Sequence, residues 1–282
     1  MAIVLGPNRY GKAETRLVRV TRDGDTHGLA DLNVSVALSG ELSATHLSGD
    51  NAGVLPTDTM KNTVYAFARE HGVASPEEFA LLLGRHFVQT QPQITHARIG
   101  IESFGWERIG PHSFRRAGDF VRTAVVDVSS SGSQVVSGLR DLVVMNTTDS
   151  EFHGFPRDRY TTLPETTDRI LATSVTASWR HSAGVADVEA VKDALVHAFV
   201  TTHSYSLQQT LYAMGKRVIT DFPGIAEIRL ALPNKHHYLV DLSRFDLENP
   251  GEVFMAGDRP YGLIEGTVTR DDAPPALVEW YL

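Results

Sequence analysis

The side chains able to do chemistry in this 282-residue chain must be sought outside the thiols, because it contains no cysteine. Disulfides, thiolate zinc sites, iron–sulfur ligation and cysteine nucleophiles are thereby excluded together. Histidine is plentiful, with 12 residues, and raises the question of a metal. The histidines are scattered, and the adjacent pair His236-His237, placed on a strand, would direct its rings to opposite faces. No carboxylate stands at ligand spacing, so no metal centre is expected. Gly6-Pro7-Asn8-Arg9-Tyr10-Gly11-Lys12-Ala13 comes close to the glycine-rich loop that cradles phosphates. Ala13 replaces its final Ser or Thr, and the residues after it alternate like a strand where the mechanism needs a helix. The Gly-x-Gly-x-x-Gly, His-Glu-x-x-His and Gly-x-Ser-x-Gly patterns are absent, removing the usual support for dinucleotide, zincin and hydrolase readings.

What remains is a dispersed set of polar residues. Lys12, Thr57 and His236 read most simply as a solvated lysine, a helix N-cap and a loop histidine; Gln208 reads as a first-turn helix residue and Arg169 as a surface charge. Spacing alone does not join them. Thr57 and Gln208 do share one property: both fall at predicted helix N-termini, where free amides and the helix dipole favour an anion. A planar anionic ligand would suit such a pair.

The elements that must position these residues can be read from periodicity. Arg16 to Arg22, and Leu32, Val34, Val36 and Leu38, alternate as strands. Met60, Val64, Phe67 and Ala68 take helical spacing behind Thr57 or Asp58 as N-cap. Ser75-Pro76-Glu77-Glu78 is a capping box opening a second helix through Phe87. Strands are expected at Ala97 to Ile101 and Phe120 to Val128, so the first half reads β-β-α-α-β-β. After the polar stretch Ser129 to Ser133, a boundary or turn, the order repeats. Strands at Val135 to Asn146 and Ile170 to Trp179 precede a helix starting near Asp187 and another opened by Ser206-Leu207-Gln208-Gln209. A last strand pair is expected at Ile228 to Leu232 and Tyr238 to Leu242, connected by Pro233-Asn234-Lys235-His236. Beyond Phe245 only Gly262 to Thr269 reads as strand. The expectation is an α+β chain of two modules, 9–130 and 134–282. Each would be a four-stranded antiparallel sheet with two helices on one face, the other face being buried by something else, another subunit being the natural candidate.

With 26 basic against 34 acidic residues the net charge is −8, which argues against nucleic acid as a partner. Hydrophobic residues make up 42% and charged ones 21%, as in ordinary globular proteins. No apolar run approaches the roughly 18 to 20 residues of a membrane helix, and Met1 to Leu5 is too short for a signal peptide. A cytoplasmic protein is expected.

Several strings, taken in order, resemble the urate oxidase (uricase) family. They are Tyr10-Gly11-Lys12, Leu55-Pro56-Thr57-Asp58-Thr59-Met60-Lys61-Asn62-Thr63, Phe152-His153-Gly154-Phe155-Pro156-Arg157-Asp158 to Leu163, Asp168-Arg169-Ile170-Leu171 and Leu232-Pro233-Asn234-Lys235-His236. The resemblance runs from about Arg9 to Thr269. It implies the tunnelling fold, whose paired β-β-α-α-β-β modules match the element order above, and a homotetramer around a central tunnel. It also implies oxidation of urate by dioxygen to 5-hydroxyisourate and hydrogen peroxide, with no metal and no organic cofactor.

Carried over residue by residue, the resemblance places Phe152 against the purine ring and Leu163 in the apolar wall. Arg169 and Gln208 would grip the ring edge, with the backbone amides of Asp58 and Leu207 adding donors. Lys12, Thr57 and His236 would relay protons, while Asn234 and Thr57 would hold dioxygen, water or peroxide. Lys12, Thr57 and Asp58 would come from one subunit and the remainder from its neighbour. The chemistry suits these residue types. An electron-rich urate dianion can give electrons to dioxygen singly, so the protein need only remove a proton, stabilise the anion and return protons. Two alternatives stay open: another tunnelling-fold enzyme acting on purines or pterins with zinc, and a non-catalytic purine-binding protein. The chain ends Glu279-Trp280-Tyr281-Leu282 rather than in a Ser-Lys-Leu-like peroxisomal signal, which again favours cytoplasm.

Overall fold

The computed structural model describes residues 1–280, apart from the side chain of Asp258; Tyr281-Leu282, part of the ending read for targeting, lies outside the described residues. Two compact units emerge: Met1–Gly138 together with the segment from Pro274, and Leu139–Ala273. In the first, β1 (Tyr10–Asp23) and β2 (Thr26–Gly40) form a long antiparallel hairpin. They are followed by α1 (Ser43–Ser48), α2 (Thr57–Glu70), α3 (Pro76–Thr90), β3 (Ile94–Ser103), the short hairpin β4 (Trp106–Arg108) and β5 (Phe114–Arg116), β6 (Val121–Ser129) and the start of β7 (Gly132–Asn146). The strand order is β1-β2-β3-β6. The second unit holds the rest of β7, then β8 (Leu171–His181), α4 (Val188–Thr201), α5 (Leu207–Asp221), β9 (Ile225–Leu239) and β10 (Phe254–Thr269), in the order β7-β8-β9-β10.

Alternation decides which sheet face meets the helices. In the first unit Leu32, Val34, Val36, Leu38, Ile99 and Val126 are buried against Met60 and Val64 of α2 and Phe79, Leu83 and Phe87 of α3. The intervening residues carry charge and pair along the opposite face: Asn33 Nδ2 donates to Glu102 at 3.0 Å and Arg98 to Asp127 at 2.7 Å. The second unit repeats the device, Glu227 accepting from Arg180 at 3.3 Å and from Arg229 at 2.8 Å.

The two units also share a local design. Ser75 and Ser206 are N-caps whose hydroxyls accept from the amides of Glu78 and Gln209, as the capping-box spacing predicts. Nine residues after each serine stands a glycine against the sheet. A Cβ on Gly84 would come within 2.6 Å of Val128 Cγ2, and one on Gly215 within 2.5 Å of Val268 Cγ2. Both helices therefore require the missing side chain to seat closely.

Several expectations are revised. Beginning at Tyr10 rather than Arg16, β1 takes in the end of the phosphate-loop-like string. Pro233 to His236 is no connection but lies inside the single strand β9, and the strand that pairs with it is β10, which starts at Phe254. Pro233 pairs in register with Leu263, and β10 bulges just beyond it, opposite Lys235, the register jumping between Gly257 and Gly262. Pro56, not Thr57 or Asp58, holds the N-cap of α2, without a side-chain cap. Neither α1 nor the β4–β5 hairpin was signalled by periodicity. Ser129 to Ser133 serves as the β6–β7 turn. The segment from Pro274 clusters with the first unit, where the Leu277 amide donates to Gln134 Oε1 at 2.8 Å.

Candidate functional site

The candidate residues fall into two groups. Lys12, Thr57 and Asp58 belong to the first unit and the other seven to the second.

In the first group, Lys12 is half-buried on β1 opposite Val36. Gly11 before it is obligatory, since a Cβ there would lie 1.8 Å from the Val36 carbonyl oxygen. Directly after it the register breaks between Lys12 and Thr15, and Glu14 adopts φ 56°, a bulge of the kind that re-aims a side chain. Thr57 and Asp58 open α2, so their amides precede the first hydrogen-bonded turn. Thr57, freed from capping by Pro56, makes no side-chain hydrogen bond among the described residues. The Asp58 carboxylate accepts from Lys61 and, at 3.1 Å, from Asn62. The Lys61 hydrogen bond and charge hold Asp58 below the usual carboxylate range, Asn62 adds to this, and the charge of Lys12 contributes as well. Lys12 is therefore within electrostatic reach of the start of α2.

In the second group, a strap from Asp149 to Phe152 carries most of the geometry. On one side the Glu151 amide donates to Ser204 O at 2.8 Å and the Ser204 amide to Asp149 O at 2.9 Å. On the other, Phe152 and Thr166 exchange backbone hydrogen bonds at 2.8 and 3.1 Å, and the Arg169 amide donates to Ser150 O at 2.8 Å. Ser150 and Ser204 are wholly buried. The Arg169 guanidinium carbon lies 5.2 Å from the Phe152 ring centroid, and the Phe155 ring stacks on Phe152 at 5.0 Å with an interplanar angle of 16°. Arg157 lies over Phe155 and donates to Leu163 O at 2.9 Å. Burial lowers the pKa of Arg169 without threatening its charge.

His236 lies on β9 opposite Gly257, where β10 bulges, and Asn234 pairs with Thr173 on β8 and Gly262 on β10. Burial, then the charge of Arg169, then that of His237, push the His236 imidazole below its ordinary value. His236 is thus within electrostatic reach of Arg169 and favours the neutral form. At the start of α5, Leu207 is buried and Gln208 exposed. The helix start is held by two local bonds: Ser206 Oγ accepts from the Gln209 amide, and Gln209 Oε1 from the amide of Tyr205, one residue before the cap, at 3.1 Å. That leaves the Leu207 and Gln208 amides and the Gln208 side chain available to a ligand. Leu163 is 52% exposed, so its wall role is not formed within one chain. Sequence reasoning had no role for Phe155 and Arg157, although both stand in the quoted Phe152 to Asp158 string. Among the described residues no group of three or more His, Asp or Glu side chains converges as a possible metal site.

A planar ring, a half-buried guanidinium, an imidazole held toward its neutral form and free helix amides suit a flat anion. Comparison with known proteins decides the family. The uricase family model matches residues 8–127 and 135–265. The chain belongs to the uricase family. It is 54% identical over 275 residues to the uricase of Arthrobacter globiformis, covering 95% of this chain and 91% of that protein. With the uricase of Dictyostelium discoideum it shares 41% identity, covering 93% and 96%. The crystal structure of the Arthrobacter globiformis uricase superposes with a TM-score of 0.94 at 52% identity, covering 98% of each chain. The fold is accordingly α+β with tandem tunnelling-fold modules, and the chain is a urate-oxidising enzyme.

Proposed function

We propose that the chain oxidises urate with dioxygen and water to 5-hydroxyisourate and hydrogen peroxide without a metal or organic cofactor. Urate, O2 and H2O balance the two products, the substrate losing two electrons and dioxygen gaining them. Phe152 forms the floor under the purine ring and Leu163 its apolar wall. Arg169 and Gln208 hold the ring edge, aided by the amides of Asp58 and Leu207. Lys12 takes a proton through the Thr57 hydroxyl, His236 completes the relay, and Asn234 with Thr57 holds dioxygen, water or peroxide. Neutral His236 can accept or donate at either ring nitrogen, which a relay requires.

The observation that carries this reading is the seating of the Arg169 guanidinium over the Phe152 ring: a floor and a charge for the anion stand side by side, and that charge also reaches the His236 imidazole. The same proposal takes the protein to be a homotetramer. In it Lys12, Thr57 and Asp58 of one subunit complete the site of a neighbour, which would supply the wall that exposed Leu163 lacks. The repeated Ser75/Gly84 and Ser206/Gly215 designs support two modules, at 9–130 and 134–282. A cytoplasmic location belongs to the proposal too, and cell fractionation tests it; no helix among the described residues is long and apolar enough to cross a membrane.

The test mixes metal-stripped protein with urate in air and follows oxygen uptake, peroxide and the urate ultraviolet band together. All three are expected to move in step and to survive chelators. Activity that returns only on adding zinc would favour a metal-dependent relative, and binding without peroxide would favour a purine-binding protein.

A further inference from the structure

We propose that Glu151 is a positioning residue for the urate site, acting through the strap that carries Phe152 and holds Arg169. Its carboxylate is 12% exposed and bridges two imidazoles: Oε2 meets His153 Nε2 at 3.0 Å and Oε1 meets His203 Nε2 at 3.0 Å. His203 also lies 4.0 Å from Asp149. This cluster takes no part in the chemistry above.

What it joins gives it a role. His153 belongs to the strap's own continuation, whereas His203 stands on the loop that leads through Ser206 into Leu207 and Gln208. Glu151 therefore ties the segment bearing Phe152 to the segment bearing Gln208. The backbone on either side of it is committed to the site: Ser150 O accepts from the Arg169 amide, Ser150 Oγ lies 3.4 Å from Arg169 Nε, and Phe152 pairs with Thr166. Behind the strap, Thr210 of α5 donates to Ser204 Oγ at 2.8 Å, all of it buried. Three short segments thus meet at a strap with no helix or strand of its own, and Glu151 supplies a hydrogen-bonded crosslink between them. Residues that orient contact groups in this way govern affinity through placement.

The inference rests on the reading that Phe152, Arg169 and Gln208 hold the substrate. The test compares Glu151→Gln, Glu151→Leu and His203→Gln with the parent and with Arg169→Ala in the full-length protein. It measures KM and kcat for urate, the dissociation constant of xanthine as an unreactive oxypurine, and thermal unfolding. Glu151→Leu is expected to raise KM and the xanthine dissociation constant together by about tenfold, with kcat per folded molecule within about threefold. Glu151→Gln and His203→Gln, which keep part of the hydrogen bonding, should fall between it and the parent. If Glu151→Leu does not fold, the two conservative variants carry the same expectation. Folded variants with parental KM and xanthine affinity overturn the proposal, as does a loss of activity that the reduced amount of folded protein accounts for by itself. Unchanged xanthine affinity in Arg169→Ala would instead overturn the underlying site, so the two failures are distinguishable.

Discussion

The guanidinium carbon of Arg169 stands 5.2 Å from the centroid of the Phe152 ring, although the two are 17 positions apart in an irregular stretch of chain. Paired backbone hydrogen bonds make this possible: Arg169 is fixed to Ser150, Phe152 to Thr166, and the strap between them to Ser204. The charge and the aromatic ring are thus placed by main-chain geometry, which in the proposed site would avoid reorganisation on binding.

Affinity should depend on this guanidinium. Arg169→Ala is expected to weaken urate and unreactive oxypurines alike, by roughly 10- to 100-fold, the weight of one or two charge-assisted hydrogen bonds. Calorimetric titration with xanthine checks it, since no turnover intrudes.

Lys12 should behave differently. Lys12→Met is expected to lower kcat by roughly 10²- to 10⁴-fold, the usual contribution of general acid–base catalysis, with a smaller change in xanthine binding. Steady-state peroxide production measures it, and near-parental turnover would remove Lys12 from the relay.

The element order was legible in the sequence because burial enforces period: Leu32 to Leu38 and Met60 to Ala68 could be read directly. The Ser75 and Ser206 caps were legible as well, because a cap is a local arrangement of neighbouring residues. Non-local features were not legible. Residues 233–236 carry turn-like types, yet β10 pairs with them along a bulge that no local pattern announces. Thr57 looked like an N-cap because nothing local shows that Pro56 takes that position. The candidate residues came from resemblance, not spacing, and the contacts of Phe155, Glu151 and His203 required the folded strap.

Behind the floor, Phe155 stacks nearly parallel to Phe152. Phe155→Leu removes that backing and is expected to raise KM by about two- to tenfold, the worth of one aromatic pair. A kcat/KM comparison with Phe155→Tyr, which keeps the stack, separates loss of the ring from loss of volume.

His236 gives a pH dependence with a defined sign. Its folded value is depressed from the ordinary 6.5, first by burial and then by the charges of Arg169 and His237. As pH falls through about 6.5 the unfolded chain takes this proton before the folded one does, so stability declines on acidification and the effect vanishes above that pH. Denaturation midpoints at about pH 5.5 and 7.5 should therefore differ less in His236→Asn than in the parent. Arg169→Ala should move the His236 titration, followed by NMR, up toward 6.5.

In the proposed enzyme, urate is oxidised at sites completed by two copies of this chain. Lys12→Met damages only the first-unit contribution and Arg169→Ala only that of the second. Co-expressed and randomly assembled, the two variants should form sites in which both contributions are intact, about one quarter of the total for independent mixing across a symmetric interface. Peroxide production by the mixed assembly is the measurement. Recovery toward one quarter of parental activity, from two separately impaired proteins assayed at urate well below the KM of Arg169→Ala, is the predicted result. Activity no greater than that of the separate variants would contradict it.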